Sequence, residues 1–319
     1  MRRVLVVVAV VAAGCTTGDP CQDKGCGPTD AGNDAGNDAG PTDAGPHDAG
    51  GIDAGRSDAG QDAGPSDSGM DPADAGTDAG LPYVGLVSIH SLERNGQRIA
   101  LASFSARQDG GYTGTCSGIA ERTGACCFRP PGGLPPSPPA VSGGTVAFKV
   151  GATTVASLTP NMGMYFSYQW QAPAPPVAGD TVVASGAGDV VAPFSVQAVQ
   201  PASFGSLLPA WDHTITLAID RTKDFTVSWS PGPADHVVRL VMAGQGTGAG
   251  APDRGVIECE VADSAGTITV ASSLLAHFSA GDLCSICGLD RVGKATTSSA
   301  NARVDLELVL NAGGGANFQ

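Results

Sequence analysis

The chain has 319 residues and a formal net charge of −14. Twelve Asp and one Arg place −11 of that charge in residues 30–80, and residues 81–319 carry only −4. No basic stripe is present to neutralise phosphates, which argues against nucleic acid as a partner.

The chain opens MRRVLVVVAVVAAGC. Arg2 and Arg3 precede an apolar run from Val4 that ends at Gly14. A spanning helix needs about 20 apolar residues, so residues 1–14 read as a signal peptide. Ala12-Ala13-Gly14-Cys15 resembles a bacterial lipobox, with Ala12 where lipoproteins usually carry Leu. The resemblance implies that the Cys15 thiol is acylated, becomes the new N-terminus and holds the protein at a membrane through its lipid. The alternative is ordinary secretory cleavage near Ala13, with Cys15 left free. There are nine cysteines, and setting Cys15 aside leaves eight: Cys21, Cys26, Cys116, Cys126, Cys127, Cys259, Cys284 and Cys287. An even number in an exported chain suits four disulfides. Cys21 and Cys26 have the spacing to close a small loop, so residues 15–29 are expected to form a lipidated N-terminus with a small Cys loop.

Residues 30–80 repeat Asp-Ala-Gly at 30, 34, 38, 43, 48, 53, 58, 62, 74 and 78. Gly removes backbone preference, Asp favours turns and repels its neighbours, and Ala is too small to seed a core. All sixteen aromatics lie at or after Tyr83, so this stretch cannot bury enough apolar surface to offset chain entropy. It is expected to be a disordered, charge-extended stalk, with a mean span of about 40 Å for a flexible coil of this length. Calcium-binding β-helix repeats also use Gly and Asp, but with an apolar residue that fills a core, and this repeat lacks it.

Beyond residue 80 the signals are strand-like. Runs at 84–91, 97–106, 145–150, 153–158, 164–171, 180–185 and 189–199 precede a second set beginning near Trp211. "DFTVSWS" alternates with Phe225, Val227 and Trp229 on one side. "GVIECEVAD" sends Ile257, Cys259 and Val261 inward, with Glu258 and Glu260 outward. "ARVDLELVL" sends Val304, Leu306, Leu308 and Leu310 inward, with Arg303, Asp305 and Glu307 outward. A short helix is predicted with Ser272 or Ser273 as N-cap, Leu274, Leu275 and Phe278 buried, and Gly281 after its end. Gly, Pro and Asp turns separate these runs at sandwich-like intervals. The fold class is therefore all-β, and the "FTVSWSPG" and "VDLELVL" strands resemble those of immunoglobulin-like and fibronectin-III-like sandwiches. Two lobes are expected, 81–205 and 206–311, with a boundary near Pro201–Ala210 and a flexible tail at 312–319; one merged sandwich is the alternative.

Lipobox, acidic stalk and Cys-containing β head together resemble surface lipoproteins of the kind encoded in large numbers by myxobacterium-like bacteria. The resemblance implies export, a lipid anchor at the outer membrane or cell surface, and this architecture; it implies no chemistry.

Candidate sites come from four patterns. Cys284-Ser-Ile-Cys287 is a CxxC, but no βαβ pattern surrounds it as redox enzymes require. Zinc can be assembled on paper from His277, Cys259, Cys284 and Cys287; structural disulfides are the expected use. Cys126 and Cys127 are adjacent and are expected to pair elsewhere, one with Cys116, and Cys259 is expected to reach Cys284 or Cys287. In "MGMYFSYQW", Met162, Met164, Phe166, Tyr168 and Trp170 share one face, read as core, which leaves Tyr165 as the exposed aromatic and a possible ligand contact. Asp212-His213 and Asp235-His236 are the pairs a hydrolytic triad would draw on, although neither G-x-S-x-G nor H-E-x-x-H occurs. No cofactor and no metal are expected. The leading function is a lipid-anchored, non-catalytic binding or adhesion module with a glycan or protein ligand outside the cell. The alternatives are an extracellular hydrolase acting on polymers and a structural envelope component.

Overall fold

The computed structural model describes residues 80–92, 97–107, 116, 121–132, 138–161, 164–167, 174–212, 214–247 and 251–319. The signal peptide, Cys15, Cys21, Cys26 and the Asp-Ala-Gly stalk lie outside the described residues.

The first half of the described chain contributes β1 (Tyr83–Leu92), β2 (Arg98–Ala106), β3 (Glu121–Thr123), β4 (Cys126–Arg129), β5 (Val146–Val150), β6 (Thr153–Leu158), β7 (Met164–Ser167), β8 (Thr181–Gly186) and β9 (Phe194–Val199). The second half contributes β10 (Leu217–Ile219), β11 (Phe225–Ser228), β12 (His236–Gln245), β13 (Asp253–Ala262), β14 (Thr267–Val270), helix α1 (Ser272–Leu275), β15 (Leu283–Ser298), β16 (Ala302–Ala312) and β17 (Ala316–Phe318). The chain is all-β, as its alternation predicts, and its sheets pack as a sandwich. One long sheet runs β3-β4-β13-β12-β15-β16-β1-β2-β7, with β17 joined to β15 and β10. Against one face of it lie a four-stranded sheet, β6-β5-β8-β9, and a two-stranded ribbon, β11-β14.

Two cores fill the sandwich. Over the β16-β1-β2 part of the long sheet, Val304, Leu306 and Leu308 meet Val87, Ile89, Phe104, Phe148 and Val182. Over the β4-β13-β12-β15 part, Cys259, Leu240, Met242 and Leu289 meet Trp229, Ile268, Leu274, Leu275 and Phe278. Each fully buried side chain of this size contributes about 1.5–3 kcal/mol. Phe104 needs small neighbours: a Cβ on Gly85 or Gly143 would lie 2.5 or 2.8 Å from its ring, well inside contact distance.

The expected boundary near Pro201–Ala210 does not divide the fold. β1 lies parallel beside β16, Tyr83 opposite Ala302 and Leu92 opposite Asn311, so one sheet carries residues from both expected lobes. β4, from the first, pairs with β13 of the second. This is the merged sandwich. The tail expected to be flexible is also folded: β17 pairs with β15 and β10, and Phe318 is buried 4.3 Å from the Phe278 ring. Ala316 and Phe318 alternate inward, which is enough apolar area to hold a three-residue strand.

α1 forms where predicted, with Leu274, Leu275 and Phe278 buried. Its N-cap is Ala271 rather than Ser272 or Ser273, and no side chain of the cap bonds the helix. The Asp224 carboxylate, from the neighbouring loop, accepts the Ser272 N–H at 2.8 Å instead.

Inside the second core sits a buried ion pair. Asp263, fully buried, faces Arg291 on β15, with Nε 2.8 Å from Oδ2 and an Nη donating to Oδ1 at 3.0 Å. The Nε contact is close but not aligned as a hydrogen bond. Trp229 Nε1 donates to Oδ1 at 2.8 Å. Arg291 also donates to the carbonyls of Ser203 and Ser230 and lies 4.6 Å over the Phe204 ring. A buried charge survives where it is paired and hydrogen-bonded in this way.

Candidate functional site

The head cysteines are placed by strand alternation. Cys126 and Cys127 are neighbours on β4, so their side chains leave opposite faces of the sheet. Cys126 points into the core and bonds Cys259, its ladder partner on β13. Cys127 points to the other face and bonds Cys116. The pairing of one of the two with Cys116 follows the expectation; the pairing of Cys259 with Cys284 or Cys287 does not. β12 lies between β13 and β15, and Cys284 and Cys287 bond each other instead. With Cys259, Cys284 and Cys287 all in disulfides, the zinc set drawn from them and His277 has no thiolates to offer. His277 instead bonds Glu121 at 2.8 Å and stacks on Phe128, ring centroids 3.9 Å apart.

Tyr165 is not exposed. It sits opposite Ala102 on the core side of β2, where the short alanine leaves room for its ring. The residue is only 2% exposed and its ring meets Phe104 edge-on at 5.6 Å. Its hydroxyl accepts the Gly143 N–H at 2.8 Å. A buried Tyr hydroxyl with a partner is a packing device, and the residue does not present itself to a ligand. Of the aromatic stripe expected beside it, Met162, Tyr168, Trp170 and the side chains of Met164 and Phe166 lie outside the described residues.

Of the two triad candidates, only Asp235-His236 lies wholly within the described residues. His213 lies outside the described residues, and the Asp212 carboxylate accepts from the backbone and hydroxyl of Thr214 at 2.7 and 2.6 Å. Asp212 lines a cleft of about 280 Å³ with Phe204, Leu207, Trp211 and Gly313. His236, the first residue of β12, is 3% exposed, and neither ring nitrogen has a hydrogen-bond partner among the described residues, so no carboxylate or hydroxyl of theirs orients its ring.

The face of the long sheet opposite the cores carries the site that alternation hints at and register completes. Glu258, Glu260, Arg303, Asp305 and Glu307, read as outward from sequence, all lie on it. Arg239 of central strand β12 lies opposite Glu260 on one side and Asp290 on the other. It donates to Glu260 at 3.3 Å and to Glu307 at 3.2 Å. Lys294 reaches Glu260 at 2.5 Å, and Arg129 reaches Glu258 at 2.5 Å. Asn311 donates to Asp290 at 2.7 Å, and Thr296 and Arg303 both donate to Asp305. A row of paired charges therefore crosses β4, β13, β12, β15 and β16.

The row is partly buried. Arg239 and Glu307 are almost fully covered, whereas Lys294 and Glu260 keep about a quarter of their side chains exposed, 28% and 23%. Burial opposes the charge on Arg239, but Glu307, Glu260 and Asp290 outweigh it and raise its pKa above the ordinary arginine value. At the end of the row His90 shares a hydrogen bond with Ser88 at 3.1 Å. Burial lowers the His90 pKa; Asp290 and Glu307 oppose that, and Arg239 adds to it. The row can offer ion pairing and hydrogen bonding to a polar ligand through its exposed members. Sequence reasoning missed Arg239 because it stands in the apolar run of β12, and only the ladder brings acidic partners to both sides of it.

No protein-family model matches the chain, and comparison with curated proteins finds no match. Among solved structures, the chain is similar to one described as "Structural insight into host cell surface retention of a 1.5-MDa bacterial ice-binding adhesin", at 10% identity and a TM-score of 0.17, covering 74% of this chain and 66% of that one. The chain thus spans just under two thirds of that structure's length. A second is the chicken CNTN1 FN1-FN3 domains, at 8% identity and a TM-score of 0.17, covering 67% of this chain and 75% of that one. Superpositions this loose carry no argument about fold or function; the all-β assignment rests on the strands themselves.

Proposed function

We propose that this protein is exported, held at the cell envelope by a lipid on Cys15, and displays its β-sandwich head on the acidic stalk as a non-catalytic binding module. The observation that carries the reading is the bracing of the head by disulfides. Cys116–Cys127, Cys126–Cys259 and Cys284–Cys287 take up every cysteine beyond residue 80. Disulfides persist in oxidising compartments outside the cytosol. The lipobox resemblance then supplies an anchor, and a diacylated cysteine carries the two chains that stable membrane anchoring takes. The charge and glycine content of residues 30–80 suit a solvated tether that lets the head reach away from the surface.

The binding surface is the paired-charge row, and its ligand is polar: a glycan or a protein segment rich in hydrogen-bonding groups. A polar ligand meets Lys294 and Glu260 with their geometry already set by Arg239, so little ordering entropy is lost on binding. The test is a screen of the purified mature protein against glycans, envelope extracts and model hydrolase substrates. Saturable binding without turnover, weakened about tenfold or more by K294A, is the expected result; one lost charge-assisted contact accounts for that factor. Turnover that disappears in H213A would replace this reading with a hydrolase, and binding unaffected by K294A would remove the ligand from the charge row.

A further inference from the structure

We infer that the Cys284–Cys287 disulfide is a thiol-exchange site, opened by a small external thiol of the glutathione type, and that it pins the junction at which β15 receives the C-terminal strand. The inference is independent of what the head binds.

In a regular strand, residues three apart face opposite sides of the sheet, so a CxxC within a strand cannot close. β15 departs from regularity at this point: Ile286 lies opposite Ala243 and Cys284 opposite Gly244, which leaves Ser285 without a partner on β12. One extra residue reverses the alternation. Cys287, opposite Met242, and Cys284 now share the core side of the strand. The bulge lets the bond form, and the bond holds the bulge.

This segment is also where β15 changes neighbours. Its pairing with β16 ends at Leu289 opposite Ala312, and its pairing with β17 begins at Cys284 opposite Ala316. The bond spans the gap between the two ladders. Beyond it, Gly281 N–H donates to the Phe318 carbonyl at 2.7 Å and Phe318 N–H to the Asp282 carbonyl at 2.9 Å. Freeing the bulge lets β15 slip relative to β17 and loosens that seat.

Two features single this bond out from the other two. Cys287 is half-buried, whereas Cys116, Cys126, Cys127, Cys259 and Cys284 are all buried; access governs which sulfur a thiolate can attack. The bond also joins residues only three apart, against separations of 11 and 133 for the others. A small loop restricts the unfolded chain least, so opening it leaves the fold standing. In the exchange, an external thiolate attacks Cys287 Sγ. The new S–S bond forms as the Cys284–Cys287 bond breaks, and Cys284 leaves with the electron pair and takes a proton from water. A second thiol can then attack the mixed disulfide, which yields the dithiol and the oxidised external disulfide.

The experiment treats the oxidised mature protein with reduced glutathione at neutral pH, quenches samples with iodoacetamide and maps modified cysteines by peptide mass. Glutathione adducts and alkylation are expected at Cys284 and Cys287 about tenfold or more sooner than at the other four head cysteines. In that partly reduced protein, hydrogen exchange should quicken at Ala316–Phe318 while Val87 and Ile89 stay protected. Opening of Cys116–Cys127 or Cys126–Cys259 first, or at the same rate, overturns the exchange site. Unchanged exchange at Ala316–Phe318 overturns the junction role. C284S gives an independent check, since its lone Cys287 should form a mixed disulfide with oxidised glutathione, and a folded C284S that forms none counts against the proposal; the wild-type time course decides the matter even if that variant does not fold.

Discussion

Replacing Arg291 by Met tests the buried pair that ties β15 to the turn after β13. Asp263 is fully buried, and the substitution leaves its carboxylate with the Trp229 N–H and no cation. It also strips donors from the carbonyls of Ser203 and Ser230, now met at 2.8 and 2.7 Å. Removing one member of a buried ion pair costs about 3–5 kcal/mol. For a folded unit of this size, 1 kcal/mol moves Tm by about 2–4 °C, so a fall of roughly 6–20 °C is expected. Urea denaturation followed by tryptophan fluorescence measures the free energy, and calorimetry measures Tm. The double variant R291M/D263L removes both charges and should recover about half the loss, because the penalty in the single variant comes chiefly from an uncompensated buried charge. A single-variant loss below about 1 kcal/mol, or a double-variant loss equal to the sum of the two single ones, would refute the reasoning.

Four further outcomes follow from the same structure. Y165F should cost about 1–3 kcal/mol in chemical denaturation, because it leaves the buried Gly143 N–H without its acceptor. C126A/C259A should lose up to about 5 kcal/mol and C284A/C287A less than about 2, since loop-closure entropy scales with the 133- and 3-residue separations. F318A should cost about 3–5 kcal/mol in the same assay, as for other buried Phe, whereas a mobile tail would make it neutral. The folded His90 pKa lies below its ordinary value of 6.5, so in that range the unfolded chain binds more protons. The His90 contribution is therefore fully present above pH 6.5 and is lost as pH falls toward the folded value. H90Q should flatten that part of a stability-versus-pH curve.

The strands were legible because their buried faces alternate cleanly. β1, β2, β5, β6 and β8 fall within a residue or so of the runs read from sequence, and β16 buries Val304, Leu306 and Leu308 as its pattern requires. Pairing partners were not legible. β1 and β16 are separated by some two hundred residues, and nothing in either run records that they lie side by side. That one contact merges the two expected lobes. The disulfides show the same limit. Alternation explains after the fact why Cys126 and Cys127 part company, but only the order β4-β13-β12-β15 shows that Cys259 meets Cys126 and is screened from Cys287. From sequence Tyr165 reads as exposed because Met162, Met164, Phe166, Tyr168 and Trp170 make the larger apolar stripe; Ala102 and the Gly143 N–H, which receive it, are far away in sequence. The outer positions of β13 and β16, Glu258, Glu260, Arg303, Asp305 and Glu307, are legible as a polar face, and Arg239 is the cation that their pattern does not reveal.

Recovery of the native protein from cells, with its N-terminal mass and thiol count determined together, tests the central claim most directly. The expected result is a polypeptide that begins at Cys15, carries two or three acyl chains there, contains no free thiol, and is released from the membrane fraction by C15S. A chain that retains Met1 and is found in the cytosol with its cysteines reduced would contradict it.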